Sequence, residues 1–185
     1  MKMAPIAAAA LLASCALPPN VSIGNRVMLD GARASFQSCS VSVEFAGAPR
    51  ALHDAEAARY ASAIARRSQL DGLTYEGTNM VQTAVCACRE APFSNADIRQ
   101  AEQAFARNPD VKMLPVAGRP FARSVIGLDT LHPEPEIAGD QALIVFPANA
   151  PRCIFIAGGK FEANAPDALK TFFATLEPIG KTSAK

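Results

Sequence analysis

The sequence predicts an α+β domain, with an antiparallel or mixed sheet of about four to six strands, three helices and disulfide staples. Three observations carry this expectation. Cys39, Val41, Val43 and Phe45 alternate with Ser40, Ser42, Glu44 and Ala46, the period of two that gives a strand one dry face and one wetter face. Apolar residues recur at helical spacing after Asp54, after Ser94 and from Leu169 to Leu176. Cys39, Cys86, Cys88 and Cys153 lie downstream of Cys15, an even number suited to pairing.

Taken in order, Val27-Met28-Leu29 leads into Asp30-Gly31, a favoured two-residue turn, so a short hairpin is expected before the alternating strand. Asp54 then caps a helix whose inner stripe runs Ala57, Tyr60, Ala61, Ile64, Ala65 and Ser68, with Gly72 as its stop. Residues 80–88 favour a second strand, because Val81, Thr83 and Val85 have high β-propensity. Ser94 and Asp97 form a capping box for a helix carrying Ile98, Ala101, Phe105 and Ala106 on one side, ending at Asn108-Pro109. Four prolines interrupt 111–140, which leaves short edge strands near Lys112–Val116 and Ser124–Leu128. Ala142–Phe146 and Cys153–Ala157 are apolar on both faces and read as a buried hairpin. Leu169, Phe172, Phe173 and Leu176 give the clearest helical stripe, stopped by Pro178, and are expected among the best-buried residues.

The N-terminus carries an address. Met1-Lys2-Met3 is a short positive segment and Ala4–Ala13 an apolar run too short to span a bilayer. Leu12-Ala13-Ser14-Cys15 resembles the lipobox of bacterial lipoproteins. The resemblance covers these four residues and implies cleavage before Cys15, lipid on that cysteine, and a membrane anchor made of acyl chains. Ala16, rather than Asp, follows the cysteine, which in proteobacterial lipoproteins favours the outer membrane, facing the periplasm. Ordinary secretion is the alternative, since Ser14-Cys15-Ala16 also permits cleavage after Ala16. The expected organisation is residues 1–14 as signal peptide, 15–25 as lipidated N-terminus and linker, 26–179 as one domain, and 180–185 as a solvated tail.

Charge removes one function class. The 185 residues carry 18 Lys+Arg and 17 Asp+Glu, and loss of Lys2 with the leader leaves 17 of each. A neutral domain has no electrostatic footprint for nucleic acid. Half the residues are hydrophobic, enough for a core without a metal or cofactor.

Candidate chemistry is sparse. Cys86 and Cys88 share one face of a strand, with Cα atoms about 6.5 Å apart, too far for an easy bond to each other. Each is expected to reach a neighbouring strand, one toward Cys39 and one toward Cys153. The rival reading is a redox pair, for which Arg89 is the nearby cation; a zinc site from the four cysteines departs from the usual ligand spacing. His53 and His132 are the only histidines. His53-Asp54-Ala55-Glu56 reads as a helix start, and His132-Pro133-Glu134-Pro135-Glu136 as a surface loop. Gly158-Gly159-Lys160 lacks the rest of a phosphate loop and reads as a turn, while Arg66-Arg67 reads as a solvated helix face.

The expected role is therefore a non-catalytic envelope lipoprotein, an adaptor, assembly or structural component with an envelope protein partner and no catalytic or metal residue. The alternatives are a periplasmic small-ligand or glycan-binding protein, although the absence of Trp gives no aromatic sugar platform, and a thiol enzyme using Cys86 and Cys88. If the N-terminus is an acylated Cys15, Cys15→Ser abolishes lipid labelling and releases the protein from membranes. An unlabelled variant that stays on the membrane would contradict the lipobox reading.

Overall fold

The computed structural model describes residues 22–23, 26–52, 69–130, 137–162 and 168–180. The leader with Cys15, His53 and the helix expected after Asp54 through Arg66-Arg67 to Ser68, the His132–Glu136 loop and the tail from residue 181 lie outside them.

The first hairpin joins β1 (Ser22–Ile23), β2 (Val27–Asp30) and β3 (Arg33–Phe36). Its tight turn is Gly31-Ala32, one residue later than expected, since Asp30 pairs with Arg33. Gly31 has φ +60° while Ala32 does not share a positive φ, the arrangement of a turn that needs glycine at its first central position. A 3-10 turn at Gln37–Cys39 leads into β4 (Val41–Glu44). The strand read from sequence forms, with Cys39, Val41, Val43 and Phe45 all buried and Glu44 exposed, but Ser42 on the face expected to be wetter is buried too.

β5 (Arg50–Ala51), β6 (Gln69–Glu76) and β7 (Met80–Cys88) follow. Gly72 is no helix stop: it sits within β6, opposite Val85. The interior strand β7 has almost every residue buried and needs a hydrogen-bonding neighbour on each side, a tertiary demand that local helical spacing does not reveal. Helix α1 (Asn95–Ala106) starts at the expected capping box: Ser94 Oγ accepts from Asp97 N–H, and the Asp97 carboxylate accepts from Ser94 N–H. That backbone donor, then the Arg89 guanidinium 2.7 Å away, lowers the Asp97 pKa to about 2. Ile98 is the buried anchor of α1, whereas Ala106 is exposed.

β8 (Val111–Leu114) is an edge strand as expected. β9 (Ala122–Thr130) is not, because it lies between β8 and β10 (Ile137–Pro147). β10 turns back through residues 148–152 into β11 (Cys153–Glu162), a longer hairpin than the two apolar runs suggested. Gly158 and Gly159 are inside β11 and not in a turn. A Cβ on Gly159 would collide with the Val81 carbonyl oxygen of the neighbouring strand, so the close approach of the two backbones requires glycine here. Helix α2 (Ala168–Ala174) ends before Pro178, which instead joins β12 (Glu177–Pro178) at a sheet edge, where its missing N–H costs nothing.

One sheet was expected; two form. The larger has seven strands in the order β5-β6-β7-β11-β10-β9-β8, the smaller five in the order β1-β2-β3-β4-β12, and all described pairs are antiparallel. Two helices lie among the described residues. On one face of the larger sheet, Leu73, Ala84, Val145 and Phe155 pack with Val27, Phe36 and Val43 of the smaller sheet and with Leu169 and Phe172 of α2. The Phe36 and Phe155 rings meet edge to face with centroids 5.1 Å apart. On the other face, Val85, Ile144, Phe146 and Ile156 pack under Phe93 and Ile98 of the α1 layer.

Leu169, Phe172 and Leu176 are buried as expected, while Phe173 is only half-buried. Phe172 is 1% exposed and packs against the Phe45 ring with centroids 5.1 Å apart. Phe172→Ala should lower unfolding free energy by about 3 to 5 kcal/mol, read as a shift in the urea midpoint. An unchanged midpoint would mean that the α2 stripe is not core.

Candidate functional site

The cysteines converge where the two sheets meet. Cys86 and Cys88 point to the same face of β7, and Cys39 reaches that face from the 3-10 turn of the smaller sheet. Cys39 bonds Cys86 across the sheets, and Cys88 bonds Cys153, its partner directly opposite on β11. Each cysteine of the β7 pair thus bonds elsewhere, Cys88 to a strand as strand geometry suggested and Cys86 to the 3-10 turn that carries Cys39. All four sulfurs lie within 4.8 Å of one another, with Cys86 Sγ and Cys88 Sγ 3.9 Å apart.

This cluster is structural in its surroundings. All four residues are buried. The Ile154 carbonyl oxygen lies 3.2 Å from Cys39 Sγ and the Ser38 carbonyl oxygen 3.2 Å from Cys153 Sγ; the sulfurs, being bonded, have no proton to donate. Those oxygens would oppose the negative charge of either a reactive thiolate or a zinc-bound one. Arg89, the cation a redox pair would call upon, is turned away. It donates to the Ala91 and Pro92 carbonyls and to Asp97, and stacks over the Phe93 ring at 3.9 Å.

A second feature was not legible from the motifs. The smaller sheet and α2 cover one part of the larger sheet, and the chain after β8 folds over another. A Cβ on Gly127 of β9 would lie 2.6 Å from Val116 Cγ1 and 3.0 Å from the Leu114 carbonyl oxygen, so glycine lets this segment rest on the sheet. Between the segment and α2 runs an open cleft of about 620 Å³. Val125, Gln141 and Leu143 line it from the sheet, Lys170, Phe173 and Ala174 from α2, and Leu114, Pro115, Val116 and Ala117 from the crossing segment. Arg119 joins the two walls, donating from Nη2 to the Phe173 carbonyl oxygen at 3.0 Å. A smaller hollow of about 390 Å³ shares Arg119 and adds Arg123 and Ser124.

The cleft's size lies within the range of small-molecule sites, and its lining is mainly apolar with a few polar groups, the composition such sites share. No family model, curated protein or solved structure matches the chain. The assignment of a site therefore rests on geometry.

Of the candidate residues, Cys39, Cys86, Cys88 and Cys153 come together, while Cys15, His53 and His132 lie outside the described residues. The cleft residues were missed because they come from three distant parts of the chain, each unremarkable alone. Two signals were present. Gly127 sits among the apolar residues Val125, Ile126 and Leu128 of a strand, where a glycine marks close approach of another backbone, and Phe173 adjoins Phe172 where a helix can bury only one of the pair fully.

Proposed function

We propose that this chain is an exported envelope lipoprotein, tethered through lipid on Cys15, whose domain acts without catalysis by holding an apolar guest. The observation that carries the binding role is the cleft between α2 and the Leu114–Ala117 segment, with Leu143, Val125 and Phe173 on its walls. A half-buried Phe173 side chain and an open apolar wall represent hydrophobic surface that a guest would remove from water. Support for an extracytoplasmic setting comes from the two disulfides, since such bonds persist in oxidising compartments. Among the described residues no helix is long and apolar enough to cross a membrane.

Among the roles left open by the sequence, the cleft favours small-ligand binding over protein assembly. One observation supports the adaptor reading: edge strand β8 exposes Met113 (37%), opposite Leu128 on the face of the sheet away from the cleft. Lys112 and Pro115, however, are residues that edge strands use to discourage pairing with another chain. The thiol-enzyme reading loses support because Cys86 and Cys88 belong to separate buried bonds.

The sequence contains no tryptophan, so Ala174→Trp places a unique fluorophore on the cleft wall at an exposed helix end. Titration of the full-length variant with the neutral apolar dye N-phenyl-1-naphthylamine should quench that tryptophan by energy transfer, saturating at one dye per chain. Quenching that grows in proportion to dye without saturating would contradict a binding cleft.

A further inference from the structure

We infer that the four cysteines form a redox switch, in which reduction of the Cys88–Cys153 bond by a dithiol is passed to the Cys39–Cys86 bond and frees the smaller sheet from its staple. The inference does not depend on the binding reading above, because the step acts on the chain itself and needs no guest.

Position decides which bond meets the reductant. Cys88 and Cys153 are each 7% exposed, whereas Cys39 and Cys86 are 0% exposed. Cys88 ends β7 and Cys153 begins β11, so their bond closes one end of the strand pair, where local opening is easiest. Main-chain pairing aligns residues 80–88 with 153–161, so loss of this bond leaves the two strands joined. Loss of Cys39–Cys86, in contrast, removes the covalent tie between the sheets.

Crowding of the sulfurs supplies the second step. Cys86 Sγ and Cys88 Sγ are 3.9 Å apart although they belong to different bonds, and all four sulfurs lie within 4.8 Å of one another. A thiolate formed at Cys88 stands little beyond the roughly 3 to 3.5 Å of a near-attack arrangement on Cys86. The exchange balances as follows. One thiolate of the dithiol attacks Cys153 Sγ, and Cys88 leaves as a thiolate. The second thiol of the reductant closes on its own partner sulfur, forming the reductant's disulfide, and releases Cys153, which takes up a proton. Cys88 then attacks Cys86 Sγ, forming a Cys86–Cys88 bond and expelling Cys39, which takes up the second proton. The dithiol has given two electrons and two protons, and the chain keeps one disulfide and gains two thiols.

Two carbonyl oxygens fit this product. The Ile154 oxygen lies 3.2 Å from Cys39 Sγ, and the Ser38 oxygen 3.2 Å from Cys153 Sγ. Oxygens that oppose a thiolate accept a hydrogen bond from a thiol, so each released sulfur meets an acceptor already in place. The new bond joins residues two apart on a strand, which β7 accommodates only by bending at Ala87. That cost drives return to the native pairs when a disulfide oxidant takes back the two electrons.

The test is partial reduction of the full-length folded chain, after any free thiol, Cys15 included, is blocked with iodoacetamide. An equimolar amount of dithiothreitol is added, new thiols are trapped with N-ethylmaleimide, and the peptides are mapped without further reduction. The doubly labelled product should carry its labels on Cys39 and Cys153, with Cys86 and Cys88 closed within one peptide. Labels on Cys88 and Cys153 with Cys39–Cys86 intact would overturn the transfer. Labels on any other pair, or on all four cysteines with no doubly labelled product, would overturn the switch as well.

The variant Cys88→Ala/Cys153→Ala keeps Cys39–Cys86 and removes the internal attacker. Labelling of its Cys39 under the same reductant should be slower by about tenfold or more, because an internal thiolate acts at an effective concentration far above that of the reagent. An equal rate would show that the reductant reaches the staple directly and would contradict the inference. If this variant misfolds, the mapping of the native chain decides alone.

Discussion

The bond between Cys39 and Cys86 is a covalent tie between two sheets that otherwise meet through packing and a few polar contacts, among them the Arg26–Asp71 ion pair at 3.0 Å and the Ala46 N–H donating to Gln82 Oε1 at 2.7 Å. The smaller sheet has described strands of two to four residues, short enough that a sheet of this size has little stability of its own. Its core residues, Val27, Phe36, Val41 and Val43, are nonetheless almost fully buried, because Cys39 presents them to β7 and β11. In the chain-entropy account, closing a loop of 47 residues stabilises the fold by about 4 kcal/mol. That is a large share of the roughly 5 to 15 kcal/mol typical of a whole domain. The second bond, Cys88 to Cys153, lies within the larger sheet and holds β7 to β11 at the point where the Cys39 turn lands.

The position of the cleft follows from this staple. With Cys39 anchored over β7, strand β4 runs beside it and takes β12 as its outer neighbour. Thr175 ties the end of α2 to this strand, accepting from the Glu44 N–H at 2.9 Å and donating to the Phe172 carbonyl. Helix α2 is held beside the smaller sheet in this way, and Phe172 seals against Phe45. The remaining width of the larger sheet, toward β9 and β10, is left to the segment after β8, whose approach depends on Gly127. Two covers of different origin meet imperfectly over one sheet, and the gap between them is the cleft.

Much of the local structure was legible because it is coded by neighbours in sequence. The strand around Val41 and Val43, the Ser94–Asp97 capping box, and the paired apolar runs ending at Phe146 and starting at Cys153 each appear where expected. The separation of Cys86 from Cys88 along a strand was enough to disfavour a bond between them and to direct each elsewhere. What failed was whatever depends on distant partners. Gly72 resembles a helix stop but belongs to β6, whose place is set by hydrogen bonds to β7. Gly158 and Gly159 resemble a turn but are glycines because Val81 and Gln141 pass too closely for side chains. The existence of a second sheet could not be read from strands of four residues, and the cleft draws Leu114, Leu143 and Phe173 from segments with no local tie.

The central claim is that the Cys39–Cys86 bond holds the smaller sheet on the larger one. Amide hydrogen exchange on the Cys39→Ala/Cys86→Ala double variant, with Cys88–Cys153 retained, tests it most directly. Protection of β2, β3, β4 and β12 should fall, by up to about a thousandfold if the whole loop-closure contribution is lost, while β7, β10 and β11 remain protected. Uniform loss of protection across both sheets would show that they unfold as one unit regardless of the staple. Unchanged protection in β2 to β4 would show that packing and the polar contacts between the sheets are sufficient, and either result would contradict the account.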